Sequence, residues 1–280
     1  MRELTIGKND AGQRLDRWLA KTLPLLPAPL AQKYIRLKRV KVNGKGSKRD
    51  VRLAVGDLLQ LYINDEFFDK PSEENIFLTV FRPQLDIVYE DENLLLVNKR
   101  PGLVVHADET EKVNTLINHI QAYLYQKKEW NPRWENAFAP ALCNRLDRGT
   151  EGLVLAAKSY TALRDLNAII RDDLMKKEYL TITVGAPPAG RHIAWLQHSE
   201  KNNKVRIHAR QCDGYKQIIT DVTVIRQNGP FALCRIGLIT GRTHQIRAHL
   251  AYLGHPVLGD IKYGNRKMNE RTGTKTQALC

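Results

Sequence analysis

The spacing of apolar residues predicts a small module of helices and strands in the first sixty residues. Apolar side chains three or four residues apart indicate two short helices, with Leu15, Trp18 and Leu19 in the first and Leu30, Tyr34 and Leu37 in the second. Prolines between Pro24 and Pro29 separate these helices. Apolar alternation around Asn43-Gly44 predicts a hairpin, with further alternation at 51–55 and a closing strand at Leu59–Leu61.

From residue 85 onward the pattern changes repeatedly between strand and helix. Strands are predicted at 86–89, 94–97, 153–157, 179–184, 218–225 and 231–239, and helices at 116–124, 163–170 and 246–253. The mixture predicts an α+β fold with a mixed, largely antiparallel sheet. Residues 64–75 are acidic and contain a proline, which is typical of a linker. We therefore expect a small basic domain at 1–63, a linker at 64–84 and a main domain at 85–280.

Charge adds a partner to this picture. The chain carries a net charge of +14, and residues 1–62 hold fourteen basic and five acidic side chains. Such clustering favours a polyanionic partner, because each neutralised phosphate releases condensed counterions, although a merely solvated surface would look similar. The stretches "QRLDRWL", "RLKRVKVNGK" and "AVGDLLQLY" resemble the α-L RNA-binding domain of a ribosomal small-subunit protein. The resemblance implies that RNA contacts Arg36, Lys38, Arg39 and Lys41.

Composition also limits the compartment. Four cysteines are widely spaced without a C-x-x-C pair, which argues against a zinc site or disulfide framework and fits a reducing compartment. The N-terminus has no apolar signal core, and the sequence has no apolar run of the roughly 18 residues that a membrane helix needs. We expect a cytoplasmic monomer without membrane contact.

One loop combines an acid, two arginines and glycines. Asp147 lies between Arg145 and Arg148 in "NRLDRGTEG", ahead of the predicted strand at 153–157. Neighbouring guanidinium groups would keep this carboxylate ionised, and glycines would let the backbone approach a ligand. An Asp–Arg salt bridge that supports a turn explains the same residues equally well.

Two later segments carry further candidates. In "KKEYLTITVG", alternation predicts that Leu180, Ile182 and Val184 face the core and that Tyr179 stands on the polar face. That tyrosine could stack on a base, although an ordinary strand tyrosine is the simpler interpretation. In "TGRTHQIRAHL", His244 and His249 are five residues apart, about 140° around a helix, and the H-E-x-x-H pattern is absent. We therefore expect ordinary hydrogen bonding by these histidines and no metal.

Together these segments resemble the RluA family of RNA pseudouridine synthases. The resemblance rests on "DIVYEDENLLLVNKRPGLVVHAD", "NRLDRGTEGLVLAAK", "KKEYLTITVG" and "TGRTHQIRAHLAYLGHPVLGDIKYG", which occur in the family's order. By position, it implies that the catalytic aspartate is Asp147, the active-site tyrosine Tyr179 and the arginine that pairs with the aspartate Arg247. Asn144 replaces the family's usual histidine. Family members also continue past "QALC" into a further strand, so we expect a truncated C-terminus.

The resemblance implies isomerisation of uridine to pseudouridine after base flipping, without a cofactor. The expected substrate is large-subunit ribosomal RNA, with transfer RNA as the alternative, and Arg145 and Arg148 are expected to hold phosphates. Asp147 would act at the ribose as nucleophile or as base. Two other functions remain open. One is an RNA-binding factor without activity, and the other is a hydrolase that cleaves the glycosidic bond, for which a second carboxylate would be needed.

Overall fold

The computed structural model describes the chain except residues 24, 25, 27, 64, 69–71, 81, 133, 134, 136 and 200–203. The strands within the described residues are β1 (Arg2–Thr5), β2 (Val40–Val42), β3 (Lys45–Gly46), β4 (Leu58–Leu61), β5 (Ile87–Glu90), β6 (Leu94–Lys99), β7 (Ala141–Leu142), β8 (Gly152–Ala157), β9 (Glu178–Val184), β10 (Gly190–Ser199), β11 (Lys204–His208), β12 (Lys216–Asn228) and β13 (Phe231–Leu238). The helices are α1 (Leu15–Thr22), α2 (Ala28–Arg36), α3 (Leu116–Gln126), α4 (Tyr160–Arg171), α5 (Gln245–Tyr252) and α6 (Arg266–Thr272). Among these described helices, none has the length and apolar character needed to cross a membrane.

The first compact unit comprises residues 1–99, 103–145 and 153–168, and the small basic module is its N-terminal part. In this module α1 and α2 share one core with a four-stranded sheet of order β1-β4-β2-β3. Trp18 and Leu59 are fully buried in that core. Asn43 and Gly44 have φ angles of 51° and 77°, as the two central residues of a type I′ turn require. The predicted helices and the Asn-Gly hairpin are therefore confirmed.

Two details of the module differ from the predictions. Leu37 is 56% exposed because α2 ends one residue earlier, and the buried face of α2 consists of Ala31, Tyr34 and Ile35. Residues 51–55 form no strand, and Val55 is 62% exposed. The backbone there is hydrogen-bonded instead to residues 12–15, which are irregular, so the segment has no strand partner that could extend the alternation.

The predicted linker at 64–84 lies partly outside the described residues. Its described part includes 3₁₀ helices at Asp65–Phe68 and Ser72–Thr79. Phe77 is buried, with its ring 5.5 Å from that of Tyr125 and 5.0 Å from that of Trp130. This segment is thus packed within the first unit rather than extended through solvent.

The remainder of the first unit contains a sheet of order β5-β6-β8-β7 together with α3 and α4. Asn144, the residue that departs from the family pattern, anchors the chain to β8. Its Nδ2 donates to the Leu153 carbonyl at 3.1 Å, and its Oδ1 accepts from the Leu155 N–H at 2.8 Å. The amide therefore uses a donor and an acceptor at once, which fixes the residues that lead into the Asp147 loop.

The second compact unit comprises residues 100–102, 146–152 and 169–280. Its centre is a five-stranded antiparallel sheet of order β11-β10-β12-β13-β9. Helix α5 packs on one face, where Ile246 and Leu250 share a core with Ile236 and Val257. Residues 278–280 lie along the outer edge of β9 and exchange backbone hydrogen bonds with it. The prediction of a largely antiparallel α+β fold is confirmed.

The orientation predicted for β9 is wrong. Thr181 and Thr183 are buried, whereas Leu180 and Ile182 are 43% and 37% exposed. The threonine face lies on the α5 side of the sheet, and its hydroxyls donate to the carbonyls of Ala278 at 2.8 Å and Gly185 at 2.7 Å. Once these hydroxyls are bonded, the threonine methyl groups pack as apolar surface, so the polar pattern does not mark the exposed side.

The Asn144 anchor gives a first prediction. Asn144→Ala should lower the free energy of unfolding by about 1–2 kcal/mol, because two partly buried backbone groups lose their partners. Urea denaturation of the purified protein measures this change. Asn167→Ala, at an exposed position of α4, is the control and should change stability by a few tenths of a kcal/mol at most. Equal stability of Asn144→Ala and wild type would show that the anchor does not hold the loop.

Candidate active site

The loop that carries Asp147 is held by its own backbone and by distant residues of the second unit. The Asp147 carbonyl accepts from the Thr150 N–H at 3.1 Å, and the Arg148 carbonyl accepts from the Gly102 N–H at 2.8 Å. Gln277 Nε2 donates to the Thr150 hydroxyl. Gly152 ends the loop with a φ of 128°, a conformation that side-chain-bearing residues rarely adopt. The Asp147 side chain is 22% exposed, so it is accessible while its backbone is fixed.

Arg247 on α5 connects two carboxylates. Its Nη1 donates to Asp147 Oδ2 at 2.8 Å, while Nε and Nη2 donate to Asp260 at 2.6 and 3.0 Å. The guanidinium is buried, which by itself would lower its pKa, but Asp260 and Asp147 together raise that pKa. Arg247 is therefore permanently charged, and its planar fork fixes the direction of both carboxylates.

Asp260 anchors this arginine from the protein interior. Its side chain has no exposed surface, and Oδ1 also accepts from the backbone N–H groups of Lys262 at 2.7 Å and Tyr263 at 3.0 Å. Burial would raise the pKa of Asp260, but the Arg247 hydrogen bonds and charge lower it below its ordinary value. The preceding Gly259 has a φ of 78°, and a Cβ atom there would overlap the Thr276 carbonyl oxygen. Only glycine lets the chain place Asp260 at this point.

Tyr179 stands on the inward face of β9. It packs against the cluster formed by α5 and the sheet, and burial followed by the negative charge of Asp147 raises its pKa above the ordinary value. Its hydroxyl has no hydrogen-bond partner among the residues that the structure describes. The ring is thus a neutral, half-buried surface that senses the Asp147 carboxylate.

His244 lies on the other side of Asp147. Its Nε2 is 3.9 Å from Asp147 Oδ2, and its Nδ1 is 2.9 Å from the Tyr263 hydroxyl. Burial, and then the charges of Arg247 and Lys262, lower the pKa of His244 to about 4, against the opposing effect of Asp147. His249 is buried and hydrogen-bonded to Thr220 Oγ1 at 3.0 Å. The expectation that both histidines are engaged in ordinary hydrogen bonds is confirmed.

The site thus contains all three residues that the family resemblance implied, and it adds others. Asp147, Tyr179 and Arg247 belong to the same unit and interact through the contacts above. Asp260, His244 and Tyr263 were not predicted as site residues, although all three lie in the motif around 240–264. No group of three or more histidine, cysteine or acidic side chains is arranged to hold a metal ion in the described part of the chain.

The predicted RNA-binding residues lie outside this cluster. Arg145 belongs to the first unit and Arg148 to the Asp147 loop, and both are exposed. In the small module a cleft of about 710 Å³ is lined by five cations, which are Lys33, Arg36, Lys38, Lys48 and Arg49. Arg39 and Lys41 are not among the cleft residues. The Arg39 guanidinium lies 4.9 Å from the Tyr34 ring centre, and the Lys41 ammonium lies 5.2 Å from that of Tyr62.

Comparison with known proteins relates these features to two families. A family model described as RNA pseudouridylate synthase matches residues 93–252, and a model of the S4 domain matches residues 13–59. A ribosomal large subunit pseudouridine synthase C of Vibrio parahaemolyticus is 31% identical over 96% of this chain and 82% of its own length. An uncharacterized RNA pseudouridine synthase of Chlorobaculum parvum is 34% identical over 93% of this chain and 78% of its own.

Solved structures agree at the level of the fold. Human RNA pseudouridylate synthase domain containing 1 superimposes with a TM-score of 0.56 over 75% of this chain and 78% of its own. The sequence identity is 24%. The similarity therefore extends to the arrangement of strands and helices, and it supports the fold class predicted from the hydrophobic pattern.

The buried ion pair predicts a measurable difference between two carboxylates. Asp260→Asn should lower the free energy of unfolding by about 3–5 kcal/mol at neutral pH, because it leaves the buried Arg247 charge without its main partner. Since the pKa of Asp260 lies below its unfolded value, this contribution is complete above about pH 4. It disappears as the pH falls through the folded pKa, so the difference between variant and wild type should shrink in acid.

Thermal and urea denaturation between pH 3 and pH 8 test this. Asp221→Asn is the matched control, because Asp221 pairs with both nitrogens of the Arg191 fork at 2.8 Å but at an exposed position. Exposed pairs contribute little, so this control should be near wild type. A similar loss in both variants would show that burial of Asp260 carries no special stabilisation.

Proposed function

Because this chain belongs to the RNA pseudouridylate synthase family, we propose that Asp147 is the carboxylate with which it converts uridine into pseudouridine. The family model spans residues 93–252, more than half of the chain. One observation carries the assignment. Arg247 holds Asp147 through Oδ2, whereas Oδ1 has no hydrogen-bond partner among the described residues. One carboxylate oxygen is thus fixed and the other is available to a substrate.

The reaction needs a carboxylate at the sugar and no change of oxidation state. The bond between the ribose and uracil N1 breaks, and its electron pair leaves with the base. The base turns, and a new bond forms between the same ribose carbon and uracil C5. C5 then loses its proton and N1 gains one, so the product is an isomer of the substrate. Asp147 acts at the ribose during the first step, either as nucleophile or as base.

The Arg247 interaction keeps Asp147 ionised for this task. A positive guanidinium at 2.8 Å favours the charged carboxylate, and the fork held by Asp260 prevents the arginine from moving away. Tyr179 supplies a half-buried aromatic surface beside this carboxylate, suited to stacking on the uracil. Its unpaired hydroxyl faces a site where the C5 proton must be removed, and we propose that it takes part in that transfer.

A uridine in folded RNA must leave its stack to reach such a site, so the proposal includes base flipping. Large-subunit ribosomal RNA is the proposed substrate, because the relative from Vibrio parahaemolyticus carries that substrate in its name. Arg145 and Arg148 are proposed to hold phosphates near the flipped nucleotide. We propose domain boundaries at 1–63 and 85–280, with 64–84 between them, and the basic module as the electrostatic contact to RNA.

The function as a whole is tested by mapping pseudouridines in total RNA from cells with and without the gene. Loss of specific pseudouridines in large-subunit ribosomal RNA supports the proposal, and loss in transfer RNA alone would replace the substrate. Purified protein that binds RNA without forming pseudouridine would indicate a binding factor. Release of free uracil would indicate a hydrolase.

Asp147→Asn should abolish pseudouridine formation while folding and RNA binding stay near wild type. The amide keeps the shape of the side chain but lacks the charge needed at the ribose, and loss of such a group costs on the order of 10⁴-fold or more in rate. Single-turnover assays with purified protein measure the rate. Asp221→Asn removes the same charge from an exposed position and should retain full activity. Pseudouridine formation by Asp147→Asn at a substantial rate would refute the assignment.

Two replacements separate the ring of Tyr179 from its hydroxyl. Tyr179→Phe should keep RNA affinity and lose rate, since stacking persists while the proton acceptor is gone. Tyr179→Leu should in addition weaken binding of the flipped base by about 1–3 kcal/mol, the contribution of one base–aromatic stack. Filter binding and single-turnover kinetics measure the two effects. Identical affinities for both variants would mean that the ring is ordinary strand packing.

The basic cleft of the small module predicts a change in salt dependence. Replacing Lys33, Arg36, Lys48 and Arg49 by alanine should reduce the slope of log affinity against log salt by about 0.7–0.9 per lost phosphate contact. The single-turnover rate on saturating RNA should stay unchanged. A control that replaces the exposed Arg266, Lys267, Arg271 and Lys275 matches the charge removed. If the cleft variant keeps the wild-type slope, the cleft does not touch RNA.

A further inference from the structure

His244 has an unfavourable backbone conformation that its surroundings maintain. Its φ and ψ are 53° and 17°, in the left-handed region, and it precedes α5 without capping that helix through its side chain. The imidazole points inward instead, with 8% of the side chain exposed. A residue that neither caps the helix nor fits its backbone region readily is retained for what its ring contacts.

The hydrogen bonds around Tyr263 determine which nitrogen of His244 carries the proton. The Tyr263 hydroxyl oxygen accepts from the Val205 backbone N–H at 2.9 Å, so the hydroxyl hydrogen is directed elsewhere. His244 Nδ1 lies 2.9 Å from that hydroxyl and is its acceptor. A neutral imidazole that accepts at Nδ1 carries its hydrogen on Nε2. The Nε2–H group is the one that faces Asp147.

Both donors near Asp147 converge on the same oxygen. Arg247 Nη1 is 2.8 Å from Oδ2, and His244 Nε2 is 3.9 Å from the same atom. The second distance exceeds that of a hydrogen bond by about 1 Å, a gap that a small side-chain rotation closes. Oδ1, which has no partner among the described residues, is thereby turned toward the open side of the site.

We propose that His244 is a positioning residue, a neutral donor fixed by Tyr263 that holds Asp147 Oδ2 so that Oδ1 meets the ribose. The inference rests on the proposed function of Asp147. The histidine assists through orientation and leaves the proton inventory of the reaction unchanged.

The charges that face His244 explain why a neutral donor suits this place. Asp147 and Asp260 supply two negative charges, and Arg247 and Lys262 supply two positive ones, while Tyr263 is neutral. A protonated imidazole would leave an excess positive charge beside the carboxylate and reduce its reactivity. The pKa of about 4 keeps His244 uncharged throughout the neutral range.

Three variants test the role without depending on a single fold-sensitive change. His244→Asn suits the left-handed backbone but is too short to reach Asp147, so the single-turnover rate should fall roughly 10- to 100-fold with unchanged RNA affinity. His244→Gln extends an amide N–H to the position of Nε2 and should restore most of that rate. Tyr263→Phe should slow the reaction, and its effect should vanish in the His244→Asn background, because Tyr263 acts through His244.

The assay measures tritium released from C5 of uridine in a large-subunit ribosomal RNA transcript. With an active wild type, full activity of His244→Asn would overturn the proposal, as would equal slowness of His244→Gln and His244→Asn. Additive effects of the two substitutions would overturn it too. A wild type that releases no tritium from any cellular RNA would refute the proposed function itself.

An independent measurement does not require activity. In ¹⁵N-histidine-labelled wild-type protein, the signal that disappears in His244→Asn should belong to the Nε2–H tautomer and should not titrate between pH 8 and pH 5. The opposite tautomer, or a protonated ring at neutral pH, would overturn the proposal. Tyr263→Phe should shift that signal toward a tautomer mixture, which a packing role alone would not produce.

Discussion

The site depends on one buried guanidinium shared by two carboxylates. Arg247 is buried, and removing its charge from water is costly unless each N–H finds an acceptor. Asp260 satisfies two of its nitrogens from the interior, and Asp147 satisfies a third at the open side. The two carboxylates have different roles for this reason. The inner one is permanently occupied as an anchor, whereas the outer one keeps a free oxygen.

The surrounding backbone is built to keep this arrangement rigid. Glycines at 152 and 259 allow the chain to take conformations or approaches that side chains would block. Backbone N–H groups after Asp260 complete its hydrogen bonding, and Gln277 supports the Asp147 loop from a third segment. Preorganisation of this kind lets a carboxylate meet its substrate in a fixed direction, without reorganising when the reaction begins.

Much of this could be predicted from sequence, and the exceptions have physical causes. The helical and alternating patterns located the main strands and helices, and the family motifs identified Asp147, Tyr179 and Arg247. The face of β9 was assigned wrongly, because buried threonines bond their hydroxyls to nearby carbonyls and then pack like valines. Asp260 and His244 were missed because their importance comes from partners that lie far apart in sequence. Leu37 follows a helix whose end the apolar spacing alone does not locate.

The partners of Asp147 have a consequence for the order in which the protein matures. Asp147 and Arg247 are 100 residues apart in the chain, and the Gln277–Thr150 contact spans 127. A polypeptide emerging from the ribosome therefore exposes the aspartate long before it possesses the arginine, the inner carboxylate and the supporting glutamine. Non-local contacts of this kind form late in folding. We expect the chemistry of this chain to switch on only after nearly all of it has been synthesised, so a nascent chain displays a loop with the right residues and no activity.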